Sequence, residues 1–397
     1  MKIVFYTDIP RSFKSNLAGL LADLIKSHQV VLLTEKIGEN SFPEIEKVQV
    51  NQYSPGEGLI AKNKRLANLA KNIIKEQKPD IVIATGSYFF ESYLRRLAKK
   101  RGIVTISALG PFFVNNLKDF VKYRYYITAH GKGILFAKIK KLFAQFVYYW
   151  LLPLTAGQLP FIGYESSILW DPTRKKGADY YFVFSEKDKQ VLKNSGADIG
   201  NVFVLTHPLA DPFTKESNEK IITIMEDGKP YLVNRNDFSL ISEEKRREYK
   251  KEVVKTVAEI LNDWKIYVKP HPKDNDKRVK QMREDFAGLA KVVGPGESAE
   301  DYIKKSYITL DYVAGMAVFS AVLMNRLVIS VDWQEEFMAD FYKDSDAVEY
   351  VDTREKLIFI LKGIKAGDYK KEKKELKKQG FSSMLDLLEF IKNEHRK

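Results

Sequence analysis

Short apolar runs alternate with longer amphipathic ones from the first residues onward. Lys2–Thr7 and Gln29–Thr34 predict strands, and Ser15–Lys26 between them predicts a helix with Leu17, Leu20, Leu21 and Leu24 on one face. The alternation repeats with a helix over Asn63–Glu76, a proline-started strand in Lys78–Gly86, a helix over Tyr88–Lys100 and a strand over Gly102–Leu109. After a long middle segment, strands at Asp179–Phe184 and Val202–Leu205 flank a helix at Glu186–Asn194. Near-continuous Val/Ile strands joined by helices are what a parallel sheet covered on both faces requires.

The second half repeats the scheme. Strands are expected at Pro230–Asn234, Lys265–Lys269, Lys291–Val293, Tyr307–Asp311, Arg326–Val331 and Val348–Val351. Helices are expected at Glu243–Asn262, Asp276–Ala287, Met316–Met324 and from the cap residue Thr353 to Lys365, with a Ser298/Asp301 capping box opening a short one to Lys305. Ser383 and Asp386 predict the cap of a last helix whose Met384, Leu387, Leu388 and Ile391 share one face, a stripe that needs something to pack on. Asp211–Gly228, where Pro, Asn and charge cluster without periodicity, marks the boundary. The expected class is α/β: two Rossmann-like doubly wound domains, residues 1–214 and 229–378, followed by a helix in 379–397.

Length and composition agree with this picture, since 397 residues suit two domains of about 150–200 each. The absence of cysteine excludes disulfides, thiolate zinc sites, iron–sulfur clusters and cysteine nucleophiles. The five histidines, His28, His130, His207, His271 and His395, show no metal-ligand spacing. Neither GxGxxG nor GxxxxGK[ST] occurs, so no dinucleotide fingerprint or P-loop is indicated. The first apolar run is too short for a signal peptide, and the longest uncharged stretch, Leu142–Tyr164, is broken by Pro153, Gly157 and Pro160. A cytoplasmic location is expected. The basic run Tyr369–Lys378 reads as a solvated helix face.

Chemistry concentrates at two strand ends. In Lys269–Asp274, Pro270 and Pro272 deny the segment a helix and fix its backbone just beyond a strand, where ligands of open α/β sheets bind. There His271 is suited to donate to a phosphate oxygen and Lys269 to add a point charge. In Thr309–Met316 a strand runs through a small-residue turn into a helix, so that amides from Ala314 to Ala317 would face an anion such as a diphosphate. Arg235, just after an expected strand, is a candidate phosphate clamp. Asp8, directly after the first strand, is a candidate base and serves equally as a helix cap; Glu165 is a weaker candidate.

Several of these segments carry a resemblance. Val268–Pro272, Ser298–Ser306, Ile308–Tyr312 and Ser320–Ser330, with Lys78–Gly86, Gly177–Glu186 and Thr206–Asp211, resemble the GT-B glycosyltransferases. Nearest is the HP-motif group: capsule and cell-surface polysaccharide enzymes, CMP-sialic-acid and Kdo transferases, and CDP-glycerol polymerases. The likeness spans most of the chain, with the HP segment as its specific part. It implies two Rossmann-like domains facing a cleft, a C-terminal helix packing back, the acceptor in the first domain and a nucleotide-sugar donor in the second. Carried over, His271 binds the donor phosphate and stabilises the departing nucleotide. Asp311, Ala314, Gly315 and Met316 hold the same phosphates, beside Arg235 and Lys269. Val313 and Ala314 stand where relatives often have paired serines, and Ser320 where many have glutamate. Glu226-Asp227-Gly228 compares with the acidic-acidic-glycine motif that supplies a base in sialyltransferases; at an expected linker it also reads as an ordinary turn.

From Phe120 to Tyr164 the chain has no Asp or Glu, six Lys or Arg and twelve of its 49 aromatic residues. Lys138 and Lys141 oppose a helical face containing Phe146 and Trp150, so an insertion over 118–164 suits a lipid-linked acceptor or an anionic membrane surface, or simply packs on the first sheet. No nucleic-acid recognition motif is present. The expectation is a glycosyltransferase of surface polysaccharide biosynthesis, independent of metal and of any cofactor, peripheral on the inner face of the membrane. A CDP-glycerol-type polyol phosphate transferase and a non-catalytic, membrane-associated assembly protein are the alternatives.

Overall fold

The computed structural model describes residues 1–7, 18–34, 45–51, 59–84, 89–109, 178–194, 199–206, 219–227, 232–237, 239–272, 274–312, 315–337, 339–343, 345, 347–369 and 380–394. The expected insertion at 118–164 lies outside them.

Two compact units divide the chain. The first runs β1 (Lys2–Thr7), α1 (Ala18–Ser27), β2 (Gln29–Thr34), β3 (Glu46–Gln49), α2 (Leu59–Gln77), β4 (Ile81–Ala84), α3 (Phe89–Lys99), β5 (Val104–Ala108), β6 (Tyr180–Val183), α4 (Glu186–Asn194) and β7 (Val202–Val204). Its seven strands are parallel in the order β3-β2-β1-β4-β5-β6-β7. Ile3 to Tyr6 of β1 are wholly buried because helices cover both faces, which is why the strand's interior is apolar throughout rather than alternating. One face packs Val4, Tyr6, Val31, Leu33 and Val82 against Leu66, Ala70, Ile74, Phe90 and Leu94 of α2 and α3.

The second unit runs β8 (Ile221–Met225), β9 (Leu232–Val233), β10 (Leu240–Ile241), α5 (Glu243–Ile260), β11 (Lys265–Lys269), α6 (Asp276–Asp285) and β12 (Lys291–Val292). It continues with α7 (Ala299–Lys305), β13 (Ile308–Asp311), α8 (Met316–Leu323), β14 (Leu327–Val331), β15 (Glu349–Val351) and α9 (Arg354–Ala366). Six parallel strands take the order β12-β11-β8-β13-β14-β15. Relative to its first strand this is 3-2-1-4-5-6, the Rossmann order, and the first unit has the same order plus a seventh strand.

Two sequence expectations are corrected here. Ile221–Met225, which fell inside the expected linker, is the central strand of the second sheet, with all five residues buried. Pro230–Asn234 is not a strand of that sheet: its described part contributes only Leu232–Val233, paired antiparallel with Leu240–Ile241 in a separate two-stranded ladder. The expected caps are formed. Thr353 Oγ1 accepts from Lys356 N (3.2 Å), and Ser298 Oγ accepts from Asp301 N at a long 3.4 Å.

The last helix, α10 (Met384–Glu394), belongs to the first unit, as the stripe required. Met384, Leu387, Leu388 and Ile391 are buried, and Phe390 and Phe381 pack edge-on and tilted against Phe203 and each other. The return is closed by Gly380, at φ 76°, where a Cβ would overlap the Val204 carbonyl. Among the described residues no helix is long and apolar enough to cross a membrane.

Candidate functional site

The sheet register of the second unit places the candidate residues. Lys269 of β11 pairs with Met225 of β8, and Met225 pairs with Asp311 of β13, so the three parallel strands end in one row. β8 is the strand from which the order departs in both directions, the topological switch at which open α/β sheets bind ligands. The His271 segment leaves this edge on one side of β8 and β13, which ends at Asp311, leaves it on the other. Two strand spacings, about 10 Å, separate their exits.

On the β13 side, Asp311 is buried and its Oδ1 accepts the Tyr312 amide (2.7 Å). Gly315 is the N-cap of α8 in extended backbone, with no side-chain cap hydrogen bond, and the first turn holds no acidic residue. The α8 dipole therefore meets no side-chain anion of its own at this end. Ala314 lies outside the described residues, as does the Met316 side chain.

On the β11 side the two lysine and histidine candidates behave differently. Lys269 is buried and its Nζ donates to the carbonyls of Pro270 (2.7 Å) and Pro295 (3.1 Å), so it braces the backbone; burial lowers its pKa, against the pull of Glu297 and Asp274. His271 is partly exposed, and its backbone N–H donates to Asp274 Oδ2 (2.8 Å).

Between these two exits lies a cluster that sequence reasoning treated as a turn. Glu226 and Asp227 follow β8 directly and are buried in an ionic network. Arg246 grips both Asp227 oxygens (2.9 and 2.8 Å), and Lys250, one turn further along α5, pairs with Glu226 Oε2. Lys250 also sits 4.9 Å from the centre of the Tyr312 ring, a cation–π contact in a dry setting. Arg278 of α6 lies 3.8 Å from Glu226 and 3.7 Å from Asp227, and pairs with Asp274 at 2.9 Å. Glu226 Oε1 and the Tyr312 hydroxyl are buried without a hydrogen-bond partner among the described residues; burial, then Glu226, raises the Tyr312 pKa well above the ordinary phenol. The pair Arg246/Lys250 at i,i+4 in the segment Glu243–Asn262 was the available signal, but nothing local says which carboxylates it meets.

Arg235 has side-chain partners beyond β14 and on β15. Its guanidinium pairs with Asp332, just past β14, and donates to the Tyr350 hydroxyl (2.9 Å), while Asp332 also accepts from Tyr350 (2.5 Å) and from the Glu336 amide (2.7 Å). Burial pushes the Asp332 carboxyl above the usual range, against these donors. Arg235 thus clamps the segment after β9 to the end of β14.

An Asp-x-Asp spacing stands beside His271, at Asp274 and Asp276. Asp274 is taken by His271 and Arg278, and Asn275 between them caps α6 through Arg278 N (2.9 Å). Among the described residues no three His, Asp or Glu side chains are grouped to hold a metal ion.

In the first unit β1 holds the corresponding switch position, and Thr7 at its end is buried with no hydrogen-bond partner for its Oγ1 among the described residues. Asp8 follows it directly but lies outside the described residues, as do Lys138, Lys141, Phe146, Trp150 and Glu165.

No protein-family model and no curated protein sequence matches this chain. Solved structures do. UDP-GlcNAc 2-epimerase from Neisseria meningitidis bound to UDP-GlcNAc matches with TM-score 0.60 and 13% identity over 100% of both chains. UDP-GlcNAc 2-epimerase from Methanocaldococcus jannaschii matches with TM-score 0.56 and 15% identity, again over 100% of both. The glycotransferase of kitacinnamycin matches with TM-score 0.53 and 12% identity over 91% of this chain and 89% of its own. At these identities the likeness establishes the fold: a pair of Rossmann-type units of the GT-B kind, shared by UDP-sugar epimerases and glycosyltransferases.

Proposed function

We propose that the chain is a nucleotide-sugar-dependent glycosyltransferase whose second unit holds the donor. One observation carries this reading: the register row Lys269–Met225–Asp311, which brings the His271 segment and the uncapped start of α8 to one edge on either side of the switch strand. A pyrophosphate lying along that edge meets imidazole at one end and helix amides at the other. Both oppose the negative charge that grows on the nucleotide as the sugar leaves. The network around Glu226 and Asp227 supplies a stiff floor between them. Asp8, the residue after β1 in the sequence, is assigned as the base that deprotonates the acceptor hydroxyl in an inverting, metal-independent transfer. The basic, aromatic stretch 118–164 is assigned to a glycan or lipid-linked acceptor at an anionic membrane surface, as surface polysaccharide assembly would need.

The structural neighbours that are epimerases over the whole chain favour a second reading, C2 epimerisation of a UDP-sugar. One experiment separates the readings. The chain is incubated with CMP-, CDP-, UDP- and GDP-linked donors, and products are followed by NMR. Release of free nucleotide, abolished in His271→Ala, supports transfer chemistry. Conversion to the C2 epimer without nucleotide release supports the epimerase. Cleavage of CDP-glycerol alone identifies the polyol phosphate transferase, and no turnover of any donor argues for the non-catalytic assembly protein.

A further inference from the structure

Pro270 and Pro272 carry no N–H, so His271 supplies the single backbone donor of the Pro-His-Pro segment. That donor is spent on Asp274 Oδ2 (2.8 Å), and the Asp274 amide donates back to the His271 carbonyl (2.9 Å), closing a reciprocal turn. The other Asp274 oxygen pairs with Arg278 Nη1 (2.9 Å), one helical turn on, and the Asp274 side chain is 2% exposed. Arg278 is itself fixed at both ends. Its amide is held by the Asn275 cap, and its Nη2 reaches toward Glu226 (3.8 Å) and Asp227 (3.7 Å) at the end of β8. The Glu226 amide donates to the Lys269 carbonyl (3.0 Å), so the two strand ends are joined through the backbone as well.

We infer that Asp274 and Arg278 are positioning residues, which tie the turn bearing His271 to the carboxylates at the end of the switch strand and so fix where its imidazole stands relative to the donor. Neither touches the donor; each acts through His271, and the inference rests on the reading that His271 faces the donor phosphate. Removing the Asp274 carboxylate takes away the acceptor of the segment's one N–H and its tie to Arg278 together, and lets the turn shift. Misplacing a catalytic group by about 1 Å costs on the order of a hundredfold in rate.

The first test needs no donor. The protein is labelled at histidine, the His271 ring signal is assigned by its loss in His271→Ala, and its position is followed in variants. Asp274→Ala and Arg278→Gln shift or split that signal, and Arg278→Lys restores part of it. Asp274→Asn, which keeps an oxygen for the His271 amide, shifts it less and guards against a misfolded alanine variant. Arg247→Gln, which cuts the pair from α5 to Asp285 at the far end of the helix that carries Arg278, leaves it in place. An unmoved His271 ring in Asp274→Ala and Arg278→Gln overturns the inference whether or not any donor binds. The second test uses uridine and cytidine diphosphates. Asp274→Ala weakens binding roughly tenfold to a hundredfold and adds nothing in the His271→Ala background. A further loss of equal size in that background shows a role independent of His271 and overturns the inference. Failure of the wild-type chain to bind either diphosphate contradicts the donor reading alone, and the ring signal still decides the positioning role.

Discussion

Replacing Lys250 with methionine removes one charge from the floor of the proposed site and keeps most of the side-chain volume. Lys250 is 7% exposed and Glu226 6%, so neither finds bulk water in place of the other. Removing one partner of a buried pair costs about 3–5 kcal/mol because the remaining charge is stranded. The lost contact with the Tyr312 ring adds about 1–2 kcal/mol in a desolvated setting. Arg278, 3.8 Å from the same Glu226 oxygen, offsets part of this, which places Lys250→Met at about 3 kcal/mol. Glu226→Gln in the Lys250→Met background removes the stranded charge and recovers about 2 kcal/mol, since a neutral replacement of a buried pair is close to neutral. Hydrogen exchange of the β8, β11 and β13 amides reads the opening of this unit directly. A loss below about 1 kcal/mol for Lys250→Met, or no recovery in the double variant, would refute a dry, coupled network.

Two further outcomes follow from single residues. Because burial depresses the Lys269 pKa, the folded chain holds fewer protons than the unfolded chain between that lowered value and the ordinary lysine value of about 10.4. Its contribution to stability therefore grows as pH rises through this window and is lost as pH falls through the folded pKa; urea midpoints of wild type minus Lys269→Met, taken across alkaline pH, rise with pH, and a flat difference contradicts the assignment. Gly380→Ala forces a side chain into left-handed backbone against the Val204 carbonyl, costs at least about 2 kcal/mol, and exposes the α10 segment to limited proteolysis; unchanged cleavage would show that the return to β7 does not depend on this approach.

The parallel sheets were legible because most of their strands are short apolar runs set between amphipathic stretches; β3, Glu46-Lys47-Val48-Gln49, has no buried residue and gave no such signal. Ile221–Met225 escaped for the same physical reason inverted: five buried residues between Glu219-Lys220 and Glu226-Asp227 present no period, and flanking charge mimics a linker. That charge is not linker charge at all, since Glu226 and Asp227 are neutralised by Arg246 and Lys250 from α5 and by Arg278 from α6. Pairings across 19 to 52 positions are written by topology, not by local spacing. The His271 segment was legible through its prolines, yet the direction of Lys269, turned onto two backbone carbonyls, was not. Nothing local to Arg235 announced its partner Asp332, which is 97 positions away.

The central claim is that the His271 imidazole and the amide tip of α8 address one pyrophosphate. It is tested by titrating the isotope-labelled chain with uridine or cytidine diphosphate while following the His271 ring signal and the Met316 and Ala317 amides together. The account predicts that all three move along one saturation curve with one dissociation constant. Movement of the ring without the amides, of the amides without the ring, or of both with different constants would contradict it.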